Sequence, residues 1–223
     1  MIPLHRHIYI LLIIFIFSLT GLGEGKSLWN THIWPADNGQ NTTWMWGVDV
    51  SGPLFTGWQG SLAYSQGRFN QGGDIEENEE FLLLAGPAGT TWQCGLGFSY
   101  LTYSTKLQRG FSWSYPEEEQ ERNDDVYGPV LYAKYEQHMF GENAGLYGMT
   151  VLLPYDFGNL EELGFDGRYM EFRGGIFWAN ERLRTSFGYQ YRRFDDMPER
   201  IINESTFSRN EIQGVLMDLG FYF

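Results

Sequence analysis

Beyond residue 25 the chain holds two histidines, His32 and His138. An acid–histidine pair can activate water, the carboxylate orienting the ring while the imidazole takes the proton. Asp37, Asp124, Asp125, Asp195 and Asp196 supply carboxylates in polar stretches where such a pair could form. No hydrolase motif surrounds either histidine, so an ordinary polar strand-end residue is the simpler reading of His32. A second chemistry comes from two acid runs, "DIEENEE" and "PEEEQERNDD". Oxygen-rich clusters bind Ca²⁺ or Mg²⁺, which makes Asp74, Glu76, Glu77, Glu117, Glu118 and Glu119 the one weak metal candidate. Neither run has the spacing or the turn glycine of an EF-hand loop, and acid runs are more often simply solvated. No cofactor is implied. The third set is a scatter of charges inside apolar segments: Asp49, Lys134, Glu136, His138, Glu171, Arg173, Arg184, Arg192 and Asp218. What those charges do depends on the elements that carry them.

The carrying segments alternate. In "TWMWGVDVS", Trp44, Trp46, Val48 and Val50 oppose Met45, Gly47, Asp49 and Ser51. In "LRTSFGYQYRR", Leu183, Thr185, Phe187, Tyr189 and Tyr191 oppose Arg184, Ser186, Gly188, Gln190 and Arg192. "TWQCGLGFSYLTY" repeats the pattern, with Cys94, the only cysteine, on the apolar face as an inert small residue. Side chains of a strand point alternately to opposite faces, so each segment has one greasy face and one small or polar face. The connections alternate too. "GPLF" (52–55), "GPAG" (86–89), "GENAG" (141–145) and "ANER" (179–182) read as tight turns. Residues 35–41, 70–80, 105–125, 156–167 and 195–210 read as longer polar loops. Five long loops and four short turns give ten strands; an eight-stranded reading with an N-terminal segment is the alternative, because "SLWNTHIW" (27–34) alternates only loosely.

The start of the chain, "MIPLHRHIYILLIIFIFSLTGLGEG", runs from basic Arg6 through an apolar stretch to Gly21, Gly23 and Gly25. That is the order of a secretory signal peptide, residues 1–23 with cleavage as late as 25, leaving 24–223 as a single domain. No later apolar run is long enough for a spanning helix. A net charge of −13 argues against a nucleic-acid partner. Aromatics at 17% and 28 glycines suit a β-rich exported protein.

The export signal, alternating strands, unequal loops and terminal Phe223 together resemble the small outer-membrane β-barrel proteins of Gram-negative bacteria. The resemblance is to the class and matches no particular family within it. It implies an all-β, closed antiparallel transmembrane barrel in the cell outer membrane, surrounded by lipid and lipopolysaccharide. In that class the last strand carries the signal read by the barrel-assembly machinery, and Val215, Met217, Leu219, Phe221 and Phe223 match it. Trp44, Trp46, Trp58, Trp92, Trp178, Tyr189 and Tyr191 are then interface aromatics. The class includes wall lipases and deacylases with Ser and His, and rim proteases with Asp and His. His32 is placed near the outer rim on this reading and His138 toward the periplasm.

The scattered charges all fall on the presumed lumen face. Unpaired buried charges are expensive, so a mixed-sign interior is expected to form a network that fills the lumen. Arg184 and Asp218, at similar depth on adjacent strands, are expected to pair. The function that follows is a structural or surface-interaction barrel without enzymatic activity. The alternatives are a narrow porin-like channel, since charged rings also tune pores, and a rim hydrolase built on an acid and His32. Divalent cations at the outer loops are the remaining candidate partners.

Overall fold

The computed structural model describes residues 26–37, 42–71, 74–107, 120–154, 169–194 and 211–223. The signal-peptide reading of residues 1–23 lies outside them. Each alternating segment is a strand: β1 Leu28–Asp37, β2 Thr42–Phe55, β3 Trp58–Gln71, β4 Asp74–Pro87, β5 Trp92–Leu107, β6 Gln120–His138, β7 Ala144–Leu153, β8 Tyr169–Ala179, β9 Leu183–Phe194 and β10 Glu211–Tyr222. Every strand pairs antiparallel with its chain neighbours, and β1 pairs with β10 to close the barrel. Ten strands form, so "SLWNTHIW" is a full member of the wall rather than an appended segment. Among the described residues closure leaves no open strand edge, the condition a sheet must meet inside hydrocarbon.

The faces sort as period two demands. Trp44, Trp46, Leu96, Phe98, Phe172, Ile176, Phe187, Met217 and Leu219 point outward and are exposed. Trp92, for example, leaves 62% of its surface uncovered. An apolar belt this complete has no counterpart on a protein in water; in a bilayer it is the wetted face. The belt ends in aromatics. Trp58, Trp92 and Trp178 lie at the short-turn end, with Phe55 stacked on Trp58 at 5.3 Å. At the other end Trp44, Trp46, Tyr189 and Tyr191 follow, the two tyrosine hydroxyls donating to Gln213 and Glu211 on β10. Val215, Met217, Leu219, Phe221 and Phe223 all stand on the lipid face beside the β1–β10 seam.

The connections differ from the sequence reading at several strand ends. Residues 70–71 and 74–80 are strand, with Arg68 opposite Glu77 and Gln71 opposite Asp74 in the β3–β4 pairing. The acid run pairs as strand, and its last acid, Glu80, is buried in the lumen rather than solvated. β5 and β6 extend in the same way, which places Asp124 and Asp125 opposite Tyr103 and Thr102. Residues 35–41 shorten likewise, since β1 runs to Asp37 and β2 begins at Thr42. "GPLF" is also strand, with the turn two residues on at Gly57, whose φ of 76° suits glycine.

The interior is less polar than a wet lumen requires. Trp34, Ala36, Met45, Leu101, Leu153, Tyr169 and Ile212 pack into a buried apolar layer in the outer half. Leu82, Leu84, Val130, Tyr132, Val151 and Leu216 continue it downward.

Candidate functional site

Two direct strand pairs set up the center of the lumen. Ser65 on β3 lies opposite Glu80 on β4, and Glu171 on β8 lies opposite Arg192 on β9. β3 and β4 are on the far side of the ring from β8 and β9. Their inward side chains nevertheless meet. Arg192 reaches Glu80 at 2.5 Å and donates to Ser65 at 3.2 Å, while its Nε donates to Glu171 at 3.1 Å. The Tyr169 hydroxyl is 2.6 Å from Glu80 and also bonds Glu171, which in turn holds Arg173. The Arg192 guanidinium sits over the Trp34 ring at 5.0 Å. Glu80, Glu171 and Arg192 are each at most 3% exposed. Two cations and two carboxylates therefore neutralise one another in a belt from wall to wall, with Tyr169 and Ser65 satisfying further oxygens. Buried charge is tolerated on those terms.

A second cross-lumen pair stands nearer the short turns, where Arg184 on β9 meets Glu136 on β6 at 2.6 Å. The guanidinium also covers the Phe177 ring at 4.6 Å. The expected Arg184–Asp218 pair does not form. Register sets Gly220 opposite Arg184 and Ser186 opposite Asp218, so Asp218 accepts the Ser186 hydroxyl and Arg184 turns across the barrel. His138 ends β6, exposed, with its ring edge-on to Phe177.

His32 is not at the rim. It faces inward at mid-strand, 1% exposed, between Asp218 on β10 and Gly47 on β2 in register. Its Nδ1 lies 3.7 Å from Asp49 and its ring lies against Trp34. Gly47 makes the room, since a Cβ there would stand 2.1 Å from His32 Nε2. Period two turns His32 inward with Asn30 and Trp34, while Asp37 stands at the outer end of β1, Asp124 and Asp125 are placed only by backbone register on β6, and Asp195 and Asp196 lie outside the described residues.

Between the belt and the short-turn end lies a cavity of about 90 Å³, lined by Asp49, Asp218, Lys134, Arg173, Arg184, Gln93, Tyr132, Tyr147 and small residues such as Ser51 and Ser61. Of the nine residues anticipated on the lumen face, Glu171, Arg173 and Arg192 stand in the belt, Asp49, Lys134, Arg184 and Asp218 line this chamber, Glu136 pairs with Arg184, and His138 is exposed at the end of β6. Glu80, Tyr169 and Ser65, which complete the belt, were not anticipated. Glu80 was hidden in an acid run that reads as loop. Among the described residues, no group of three or more His, Cys, Asp and Glu is placed to hold a metal ion. Glu117, Glu118 and Glu119 lie outside the described residues, and Asp74, Glu76 and Glu77 are placed only by backbone register on β4.

No protein-family model matches the chain, and no curated protein matches it. Solved structures do. The outer membrane protease OmpT from Escherichia coli shares 12% identity over 89% of this chain and 94% of its own, with a TM-score of 0.51. The translocator domain of the autotransporter NalP from Neisseria meningitidis shares 11% over 97% and 96%, with a TM-score of 0.47. Neisserial surface protein A shares 10% over 89% and 96%, with a TM-score of 0.38. At these identities the OmpT likeness speaks for the fold and for nothing finer. Together with the closed ring and the exposed apolar belt, it makes the chain a β-barrel of the bacterial outer membrane.

Proposed function

We propose that this chain is a non-conducting outer-membrane barrel with a structural or surface-facing role, its lumen shut by the side chains of its own wall. One observation carries the reading: Arg192 and Tyr169 on one wall touch Glu80 on the other. The buried apolar layer of Trp34, Met45, Leu101, Leu153 and Ile212 lies beside that belt, toward the outside. A permeation path needs water or polar lining along its whole length. On the outer side, the paired β3–β4 and β5–β6 hairpins carry acid-rich sequence past the aromatic girdle. Divalent cations there would bridge to anionic lipopolysaccharide, which makes surface contact the favored role. The rim-hydrolase alternative loses its support, since His32 is buried at mid-lumen. Single-channel recording tests the proposal. Residues 24–223, refolded and inserted in a planar bilayer, should stay silent, and stable discrete openings would overturn it.

A further inference from the structure

We propose that the chamber below the belt is a binding site for a small zwitterion, an ammonium and a carboxylate on one compact frame, arriving from the periplasmic side. Apart from Arg184, which is paired with Glu136, charge is segregated across it. Asp49 on β2 and Asp218 on β10 flank β1, while Lys134 on β6 and Arg173 on β8 flank β7 on the opposite side of the ring. The two walls are not tied together. Asp49 accepts from Asn30 at 3.2 Å and lies 3.7 Å from His32, and Asp218 accepts from Ser186. Arg173 gives its Nε to Glu171 in the belt. Among the described residues Lys134 makes no ion pair or hydrogen bond, although it feels the charges of Asp49 and Glu136.

Opposed charges held apart in a protein interior are costly until something stands between them. Water answers that need in part. A molecule with its carboxylate toward Lys134 and its ammonium toward Asp49 and Asp218 answers both walls at once. A lone anion meets two carboxylates, and a lone cation meets Lys134 and Arg173, so neither half alone is well received. Size agrees. One water requires about 10–15 Å³ of such space, so a chamber of about 90 Å³ admits a ligand of up to about six to nine non-hydrogen atoms. Ser51 and Ser61, opposite one another on β2 and β3 toward the short-turn end, contribute small side chains there between Leu28 and Leu84. The inference rests on the closed-lumen reading only for the direction from which the ligand comes.

The test is calorimetric titration of the refolded barrel in detergent micelles with glycine, and separately with acetate and methylammonium. Glycine should bind saturably, one per barrel, and each half-molecule at least tenfold more weakly. Lys134→Gln should weaken glycine at least tenfold. Ser61→Trp, which fills the lower chamber without touching a charge, should abolish binding while circular dichroism shows an intact barrel. No saturable glycine binding to folded wild-type protein, equal binding of acetate, or unchanged binding by Lys134→Gln would each overturn the site. A wild-type barrel that conducts and still binds glycine would overturn the closed lumen and support the chamber.

Discussion

Replacing Arg192 by methionine tests the belt at its most connected member. The side chain is fully buried, and it answers Glu80 at 2.5 Å and Glu171 at 3.1 Å. Methionine fills much of the same volume, so the change is chiefly the loss of a cation. Glu171 keeps Arg173, but Glu80 retains only the neutral Ser65 and Tyr169 hydroxyls. Removing one partner of a buried pair costs about 3–5 kcal/mol, because the other charge is left in a low-dielectric site. Losing the guanidinium over Trp34 adds about 0.5–2 kcal/mol. A net loss of about 4 kcal/mol, roughly a thousandfold in the folding equilibrium, is the expectation. Equilibrium guanidinium unfolding in phospholipid vesicles, followed by tryptophan fluorescence, measures it. The cycle with Glu80→Gln isolates the pair. The double variant should be less destabilised than the sum of the singles by about 1–3 kcal/mol. An Arg192→Met barrel within about 1 kcal/mol of wild type, or strict additivity, would show that the belt is solvated and the reasoning wrong.

Three further outcomes follow from other parts of the wall. Arg192→Met should remain silent in planar bilayers, because the apolar layer of Trp34, Met45 and Leu101 stands in series with the belt; discrete openings would make the belt the sole barrier. Phe187→Arg, at the middle of β9 on the lipid face, should cost about 2–4 kcal/mol in vesicle unfolding, whereas Trp92→Arg at the girdle should cost about 0–1. Equal costs at the two positions would contradict the assigned depths. Gly47→Ala should destabilise by about 1–3 kcal/mol, since its methyl would displace the His32 ring and crowd the Tyr64 carbonyl. His32→Ala in the same chain should recover part of that loss, and no recovery would mean that the backbone, not the histidine, sets the cost.

The wall was legible in the sequence because its signal is local. Leu183 to Arg192 reads alternately apolar and polar, and each residue stands on the face that its parity assigns. Strand ends were less legible, since a carboxylate run such as Glu76 to Glu80 has the same composition whether it loops or pairs above the membrane. "SLWNTHIW" read poorly for another reason. Its inward set includes Leu28 and Trp34, so the contrast between faces fades where the lumen itself is apolar. Partners across the lumen were not legible. Parity puts Glu80 and Arg192 inside, but only the accumulated register of the ring brings them into contact. Adjacent strands mislead in the same way, as Arg184 and Asp218 did: a two-residue offset sends one to Glu136 and the other to Ser186.

A ring of ten strands is little wider than those whose interiors side chains fill completely. Two materials can fill it. Apolar side chains gain by burial, and the outer half uses them, with Trp34, Tyr169 and Ile212 excluding water. Charges are tolerated where each finds its opposite, and the belt meets that condition with Arg192 between Glu80 and Glu171. The lower half does both only in part, with Arg184 paired to Glu136 and with Leu84 and Leu216 on its wall. Lys134 and Asp49 face a gap instead of each other, and the small Ser51 and Ser61 keep it open. A wall that served closure alone would have filled this end as it filled the other. On the two proposals made above, sealing the outer half while leaving a dipolar cup toward the periplasm gives the two ends different work, the one keeping solutes out and the other holding one in place.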